Sequence, residues 1–479
     1  MTLLFCVTTG IAADVESGAS GNGETLYNGI HLPSTWPPEI RDLSREVPME
    51  VPYLDSPPEV VPIDVGRQLF VDDFLIESTT LKRTFHNAKY HPSNPVLEPD
   101  RSWEKEVSPD APAGGPAAMP FAGGVFYDPG EKHFMMWYMG GYRLRRCLAI
   151  SKDGIHWEKP DWGVVPGTNI ISSIPGDTSI FWMDLEARDP EKRFVMWREE
   201  EKKPGMAILY SSDGIHWIPT NARTGRAPSK TTAFYNPFRK VWVYSVRYSD
   251  GTRGRYRRYW ETEDPTVNID WGNFTRPESG PPGKGPKRLP LWIAADKYDL
   301  GYPGTKHRSE IYNLDAVGYE SLMLGMFSML RGYKEGHPKL NEIVFGFSRD
   351  GFHWDRPNRE PVIRVSSARK AWNAGNVQNA AGCCLIVGDE LYIYVSGRRG
   401  FREQRQYCST GLAVLRRDGF ASMDAEATEA SLTTRPVRFQ GKHLFVNVAC
   451  QKGQLQVEVL DRAGKVIPAY SRDRCLAIS

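Results

Sequence analysis

One seven-residue motif decides how this chain is organised. It occurs three times with few changes, as SKDGIHW at 151–157, SSDGIHW at 211–217 and SRDGFHW at 348–354. The pattern indicates a tight turn between strands, in which the Asp side chain accepts backbone N–H groups and the Gly takes a positive φ. We therefore interpret the Asp and His residues as structural, and we expect Trp157, Trp217 and Trp354 to be buried between neighbouring sheets.

A hairpin pattern lies upstream of most of these turns, with an apolar strand, a polar turn and an aromatic-rich strand. The pairs are FYDP at 126–129 with FMMWY at 134–138, RDP at 188–190 with FVMW at 194–197, YNP at 235–237 with VWVY at 241–244, and VGDE at 387–390 with LYIYV at 391–395. Together with weaker turn echoes, these signals predict five units, at 117–160, 177–219, 230–273, 317–357 and 376–422. Each unit holds about four short strands, so the fold predicted for 117–422 is an all-β, five-bladed β-propeller.

The flanking segments differ from the repeats. Residues 24–116 form a lead-in, and its first part, 24–66, is rich in Pro and predicts an extended arm on the domain. The insert at 274–316 interrupts the rhythm between the third and fourth units. Residues 432–479 contain three short apolar runs, at 437–439, 444–448 and 455–460. They predict a short C-terminal segment that resembles a β-sandwich cut short.

Composition excludes some functions. Lys and Arg total 60 against 58 Asp and Glu, so no global basic field favours nucleic acid. The 14 Trp, 21 Tyr and 20 Phe suit a protein that packs rings against sugars. Beyond the first 13 residues, no apolar run approaches the ~18 residues of a membrane span. Residues 1–13 are typical of the remnant of a signal peptide, with a ragged terminus as the alternative, so we expect a secreted or periplasmic protein.

The seven Cys residues show no CxxC pair and no Cys/His cluster with zinc spacing. Buried free thiols are the favoured interpretation, although an exported protein permits disulfides. No motif for a metal or another cofactor is present, so none is predicted.

Several stretches carry a resemblance to a known group. They are QLFVDDFLIE at 68–77, GGVFYDP at 123–129, YNPF at 235–238, LDAVGYESLMLG at 314–325 and TGLAVLRRDGF at 410–420. The chain resembles five-bladed propeller glycosidases of glycoside hydrolase families 32, 43 and 117. It is especially similar to secreted family-32-like bacterial proteins that are common in planctomycetes. The resemblance implies a funnel lined by the innermost strands, with an Asp on blade one, an Asp on blade two and a Glu on blade three.

Hydrolysis of a glycosidic bond needs a proton donor and a second carboxylate as nucleophile or base. Glu320 is the predicted general acid, because it precedes an apolar stretch where burial would raise its pKa. Asp177 holds the matching place on blade two, and Asp315 is a possible partner. Blade one opens on residues 117–124 without an acid, although Glu106 or Asp110 of the preceding loop could reach in.

Other residues suit substrate binding. Arg forks bind carboxylate and sulfate groups in two-point contacts, which favours an acidic glycan. Salt bridges at a solvated strand edge are the alternative interpretation of the same arginines. The predicted binding residues are Arg247, Arg258, Arg308, Asn376, Gln378 and Trp182.

Three functions remain open from the sequence. The first is an exo-acting glycoside hydrolase for an oligo- or polysaccharide. The second is a non-catalytic glycan-binding propeller, which the missing acid on blade one favours. The third is a phosphate-dependent glycosidase of the family-130 kind, for which His307 and Arg308 would supply the cations.

Overall fold

The computed structural model describes residues 2–7, 23–41, 43–111, 114–120, 122–200, 203–271, 289–333, 339–382, 384–400 and 406–478. Strands dominate these ranges. The helices found there are α1 (Pro52–Asp55), α2 (Ser102–Lys105) and 3-10 turns at Pro190–Lys192, Pro468–Tyr470 and Arg472–Arg474. Within the described residues, no helix has the length and apolar character required to cross a membrane.

Five antiparallel sheets follow one another through the described part of 118–416. Strands are numbered in chain order. Sheet 1 holds β6 (Ala118–Met119), β7 (Val125–Asp128), β8 (His133–Gly140), β9 (Arg145–Ser151) and β10 (Ile170–Ser172). Sheet 2 holds β11 (Ser179–Met183), β12 (Phe194–Glu199), β13 (Met206–Ser211) and β14 (Ile218–Arg223). Sheet 3 holds β15 (Thr232–Asn236), β16 (Val241–Asp250), β17 (Gly254–Thr262) and β18 (Leu291–Ile293).

Sheet 4 holds β19 (Glu310–Tyr319), β20 (Leu322–Gly332) and β21 (Leu340–Ser348). Sheet 5 holds β22 (Asn376–Gln378), β23 (Leu385–Val387), β24 (Glu390–Arg399) and β25 (Tyr407–Arg416), with β5 (Lys89–Tyr90) as its outer strand. The N-terminal lead-in therefore completes the last sheet of the chain.

Hydrogen bonds join each sheet to the next and close the set into a ring. They run from Arg146 to Ser179, Lys230 to Thr178, Thr232 to the carbonyl of Leu314, Ala380 to Asp315, and Thr410 to the carbonyl of Ala118. Aromatic and aliphatic side chains fill the space between sheets, as where Trp137 of sheet 1 stacks on Phe181 of sheet 2 at 5.4 Å. A ring of antiparallel sheets is the arrangement of a β-propeller.

The repeated turns have the structure that the seven-residue motif predicts. In each copy the Asp Oδ1 atom accepts the backbone N–H groups two and three residues on, and Oδ2 contacts the His Nδ1 atom. The Gly residues have φ values of 76°, 75° and 83°. Trp354 is 2% exposed, as expected, whereas Trp157 and Trp217 are only partly buried.

The boundaries of two units differ from the prediction. Strand β18 and the first residues of β19 both lie inside the range 274–316 that was interpreted as an insert. The fourth sheet thus begins at Glu310 and not near 317. The sequence conceals the membership of β18 in sheet 3 because residues 272–288 stand between β18 and the other strands of that sheet along the chain. These residues lie outside the described part of the structure.

The Pro-rich arm packs on the end of sheet 4. Tyr27 donates to the carbonyl of Ser321, Asn28 to that of Arg349, and Tyr53 to that of His353. Behind the arm, Arg349 forms a buried ion pair with Asp72 at 2.7 Å. The extended arm expected at 24–66 therefore lies on the domain.

A further sheet combines both ends of the chain. It holds β1 (Thr2–Val7), β2 (Val61–Pro62), β3 (Ile76–Thr79), β27 (Ser431–Arg438) and β28 (Gln456–Leu460), while β4 (Lys82–Phe85) pairs with β26 (Ala421–Asp424). The strand expected at 444–448 is absent from the structure, and Phe445 is 89% exposed because no sheet covers it. Strand β1 falls in the predicted leader, and export remains a prediction.

The five cysteines whose side chains the structure describes are free thiols. Cys147, Cys384 and Cys408 are buried, and Cys450 and Cys475 are partly buried. This agrees with the favoured interpretation. Cys383 lies outside the described residues.

Candidate functional site

One end of the ring gathers two kinds of segment. Because antiparallel strands alternate in direction, the start of the first strand in each sheet lies at the same end as the turn between the second and third strands. We call this end the funnel face. Its turns lie at 141–144, 200–205, 251–253, 333–339 and 400–406, with residues 201–202, 334–338 and 401–405 outside the described part.

Asp177 stands at the funnel face, just before β11, and is 6% exposed. Its Oδ2 atom lies 2.8 Å from Nη2 of Arg143, and its Oδ1 atom lies 3.3 Å from Nζ of Lys230. Burial alone would raise the pKa of Asp177, but these two cations outweigh burial and hold the pKa well below its usual range. Asp177 is therefore an ionised carboxylate in a largely buried position.

Glu199 is a second carboxylate beside Asp177, and sequence reasoning missed it. It ends β12, and its Oε2 atom accepts the backbone N–H of Thr178 at 2.8 Å. Burial raises the pKa of Glu199, and the charge of Asp177 raises it further. Two neighbouring carboxylates thus have pKa values displaced in opposite directions, which is the arrangement that separates a base from an acid.

A cavity of about 180 Å³ opens at the same face. Its described lining comprises Tyr312, Tyr333, Lys339, Gly375, Asn376, Gln378, Arg398, Gly400 and Gln406. The predicted binding residues Asn376 and Gln378 are therefore in its wall. Sequence reasoning missed the others, since most of them lie on turns between second and third strands rather than at the start of a first strand.

Two chains of contacts connect Asp177 with this cavity. In one, Lys230 lies 5.8 Å from the ring centre of Tyr312, and Lys339 lies 3.8 Å from the same ring. In the other, Arg143 and Arg398 lie 5.7 Å and 5.0 Å from the ring centre of Tyr142. These contacts connect the carboxylate with the wall of the cavity, and Asp177 itself lies outside the described lining.

Asp315 lies inside the wall and not at the cavity. It is 4% exposed, and its Oδ2 atom accepts from Nδ2 of Asn313 at 2.7 Å and from the backbone N–H of Ala380 at 3.1 Å. Burial raises the pKa of Asp315 to about 6. It joins sheets 4 and 5, and five residues of strand separate it from Glu320, the acid whose partner it was expected to be.

Glu320 is placed far from the funnel face, which corrects the expectation that it faces the funnel with Asp177. It occupies the turn between β19 and β20 with a φ of 52°, and it pairs with Arg67 at 2.7 Å. Eight residues of strand separate it from Tyr312, roughly 25 Å at ~3.3 Å per residue. The carboxylate belongs to the opposite end of the ring.

The predicted arginines are divided between the site and other contacts. Arg247 lies in electrostatic reach of the site: burial and Arg255 lower its pKa, while Asp177 and Glu199 counteract them. Arg258 instead donates to the carbonyl of Leu289.

Arg308 and Trp182 also lie elsewhere. Arg308 pairs with Glu46 of the arm at 2.7 Å, and neither Arg308 nor His307 lines the cavity. The phosphate-dependent alternative is therefore not supported, because the two cations named for it lie outside the cavity lining. Trp182 packs between Phe126 and Trp242, so its ring is part of the packing between sheets and not a platform in the cavity.

The loop acids offered for blade one are at the surface. Glu106 contacts Arg145, and Asp110 is exposed. The described residues contain no group of three or more His, Cys, Asp or Glu side chains that could hold a metal ion.

Comparison with known proteins gives structural similarity alone. No family model matches the chain, and no curated protein matches it. A thermostable family-43 glycoside hydrolase aligns with 10% identity and a TM-score of 0.41, over 63% of this chain and 91% of that one. A fructofuranosidase from Schwanniomyces occidentalis complexed with fructosylnystose aligns with 14% identity and a TM-score of 0.38, over 69% of this chain and 60% of the other.

A family-43 protein retrieved from a capybara gut metagenome aligns with 10% identity and a TM-score of 0.40, over 76% of this chain and 61% of that one. Solved structures similar to this chain thus include the types of glycoside hydrolase that the sequence resembles. With TM-scores below 0.5, these similarities assign no activity to this chain.

Proposed function

We propose that this chain is a glycoside hydrolase that acts on the terminal sugar of a glycan at the funnel face. The observation that carries the proposal is the carboxylate pair of Asp177 and Glu199. One carboxyl is held ionised by Arg143 and Lys230, and the neighbouring one has a raised pKa. Cleavage of a glycosidic bond needs both protonation states at once.

We assign the two roles from the protonation states of the pair. Glu199 holds its proton to higher pH than a solvated carboxyl, so it is the proton donor to the leaving oxygen. Asp177 keeps its charge over the whole working range, so it is the nucleophile or the base that activates water. Its negative charge also stabilises the oxocarbenium character of the transition state. Glu199 replaces Glu320, which was the donor expected from the sequence.

The size of the cavity favours exo action. At about 180 Å³ it is smaller than the ~300–1,000 Å³ of a typical site for a whole small molecule. It suits one end of a ligand, with the rest of the chain leaving through the open face. We also propose that the five sheets are the five blades of one propeller, with 432–479 as a C-terminal β segment.

A non-catalytic glycan-binding propeller is the second candidate. Strand β6 carries Ala118 and Met119 at the start of sheet 1, where the resemblance to family 32 implies an Asp. Lys230 lies just before β15 in sheet 3, where the resemblance implies a Glu. Two of the three implied acids are therefore replaced, which a binding protein would tolerate.

Turnover separates the two candidates. The full chain is incubated with matched oligosaccharides that end in a neutral, a uronic or a sulfated sugar, and released sugars are identified by mass spectrometry. The hydrolase predicts release of single terminal sugars. Binding of a glycan without release of sugar by any member of the panel would exclude the hydrolase and support the binding protein.

A further inference from the structure

The cavity wall is cationic. Its described lining contains Lys339 and Arg398 but no Asp or Glu, and the polar side chains beside them are amides and phenols. Asp177 and Glu199 lie outside this lining. The cations of the cavity wall are therefore not neutralised by a carboxylate of the described lining.

Lys339 presents its ammonium group at this wall. It lies just before β21, and its Nζ atom is 3.8 Å from the ring centre of Tyr312 and 6.0 Å from that of Tyr333. No carboxylate of the described residues lies within 4 Å of this ammonium group. Burial lowers the pKa of Lys339 to about 7, so a bound anion would stabilise its charged form.

Arg398 is held by hydrogen bonds in the same wall. It is 9% exposed, and its Nη1 atom donates to Oε1 of Gln406 at 2.9 Å. With the amide oxygen of Gln378 turned toward it, Nη2 donates to that oxygen at 2.8 Å. The guanidinium plane also packs on the ring of Tyr142 at 5.0 Å. A guanidinium held in this way is oriented before a ligand binds, which reduces the entropy lost on binding.

We propose that this cavity binds an oxyanion carried by the terminal sugar of the substrate, with Lys339 and Arg398 as its ligands. The inference rests on the proposed function, because it names the class of substrate for the same site. The carboxylate of a uronic acid and a sulfate ester share this chemistry. Tyr312 and Tyr333, which line the cavity, supply faces for the sugar carbons.

The test measures binding rather than turnover. Calorimetry compares disaccharides that end in glucuronic acid, in 6-O-sulfoglucose or in glucose, with the same linkage and the same second sugar. We expect at least one anionic disaccharide to bind about 10- to 100-fold more tightly than the neutral one, as charge-assisted hydrogen bonds contribute. The two anionic arms show whether carboxylate or sulfate is preferred.

A matched pair of variants assigns the effect to the cavity. Lys339→Met removes the ammonium and keeps the apolar stem, and it should abolish the preference for the anionic sugar. Lys297→Met is the control, because Lys297 also lies over a ring, at 5.1 Å from that of Tyr298, but is exposed and outside the cavity. It should leave the preference unchanged.

The outcomes separate this inference from the proposed function. Equal affinity for neutral and anionic disaccharides, or a preference that survives Lys339→Met, overturns the oxyanion site whatever the turnover. Tight binding of inorganic phosphate together with no preference among the sugars would also overturn it and would favour phosphorolysis. Anionic sugars that bind in a Lys339-dependent way without hydrolysis would leave the oxyanion site standing and exclude the hydrolase.

Discussion

The ammonium of Lys230 lies 3.3 Å from Oδ1 of Asp177, in a contact that is buried on both sides. Burial lowers the pKa of Lys230 to about 8, and Asp177 opposes that shift. A buried charge is tolerated where it has a partner of opposite sign. In sheet 3, Lys230 occupies the place where the family resemblance implies an acid. Its positive charge keeps Asp177 ionised, whereas a second negative charge there would oppose the ionisation of Asp177.

Replacing Lys230 should shift the acid side of the activity profile. Lys230→Met removes one of the two cations that hold down the pKa of Asp177, so that pKa should rise. The acidic limb of kcat/KM against pH should then move to higher pH, because Asp177 must be ionised to act. Thermal unfolding of the variant serves as the folding control. A folded variant whose acidic limb is unmoved would contradict the role of Lys230.

Glu199 and Glu320 give a direct contrast between two glutamates. Glu199→Gln removes the transferable proton and should lower kcat about 10²- to 10⁴-fold on a substrate with a poor leaving group. An activated aryl glycoside should lose less, because its leaving group departs without protonation. Glu320→Gln should retain activity, since Glu320 binds Arg67 at the other end of the ring. Activity that survives in Glu199→Gln but fails in Glu320→Gln would reverse the assignment.

The position of Glu320 shows where sequence reasoning failed. Tyr319 pairs with Leu322, so Glu320 and Ser321 form a two-residue hairpin turn. Such turns need a positive φ and usually use Gly or Asn. Here Glu320 itself has a φ of 52°, so the stretch from Leu314 to Gly325 contains no turn signal at its centre. It looks like the opening of one strand, whereas it is the junction of two.

The repeated turns could be predicted because their chemistry is local. An Asp that accepts N–H groups two and three residues on is visible in seven letters of sequence. The site is different, because Glu199, Lys339 and Arg398 belong to three different sheets and share one face only when the ring closes. Asp177 was found because it lies at the start of a first strand, where the resemblance directs attention.

The affinity for an anionic sugar should fall as pH rises through about 7. Lys339 binds an anion only when protonated, and burial lowers its pKa to about 7. Below that pH the full preference is present, and above it the preference declines, with the anion itself delaying the decline. The titratable and charged groups around Lys339 are Tyr312, Tyr333, Lys230, Arg255, Arg398 and Glu310.

The control for this pH dependence is Lys339→Arg. Arginine stays charged throughout the range, so the preference for the anionic disaccharide should persist and its change between pH 6 and pH 9 should disappear. Calorimetry at four pH values measures both. A decline of the same size in Lys339→Arg would assign the titration to another group.

Asp350 and Asp153 hold the same place in two copies of the repeated turn that differ in burial. The Asp350 side chain is 4% exposed and accepts the N–H groups of Phe352 and His353 at 2.9 and 2.8 Å, whereas the Asp153 side chain is 47% exposed. Asp350→Ala leaves two N–H groups without a partner in a dry turn. It should lower the free energy of unfolding by about 2–6 kcal/mol, at ~1–3 kcal/mol for each such group.

Asp153→Ala should cost about 1 kcal/mol, because water reaches the same two N–H groups. Urea unfolding followed by tryptophan fluorescence gives both values, and the difference between the variants is the quantity of interest. Both turns lie at the end of the ring opposite the funnel face, so sugar binding should be unchanged in each folded variant. Equal losses of stability would show that the side-chain hydrogen bonds, and not burial, set the contribution of the repeat.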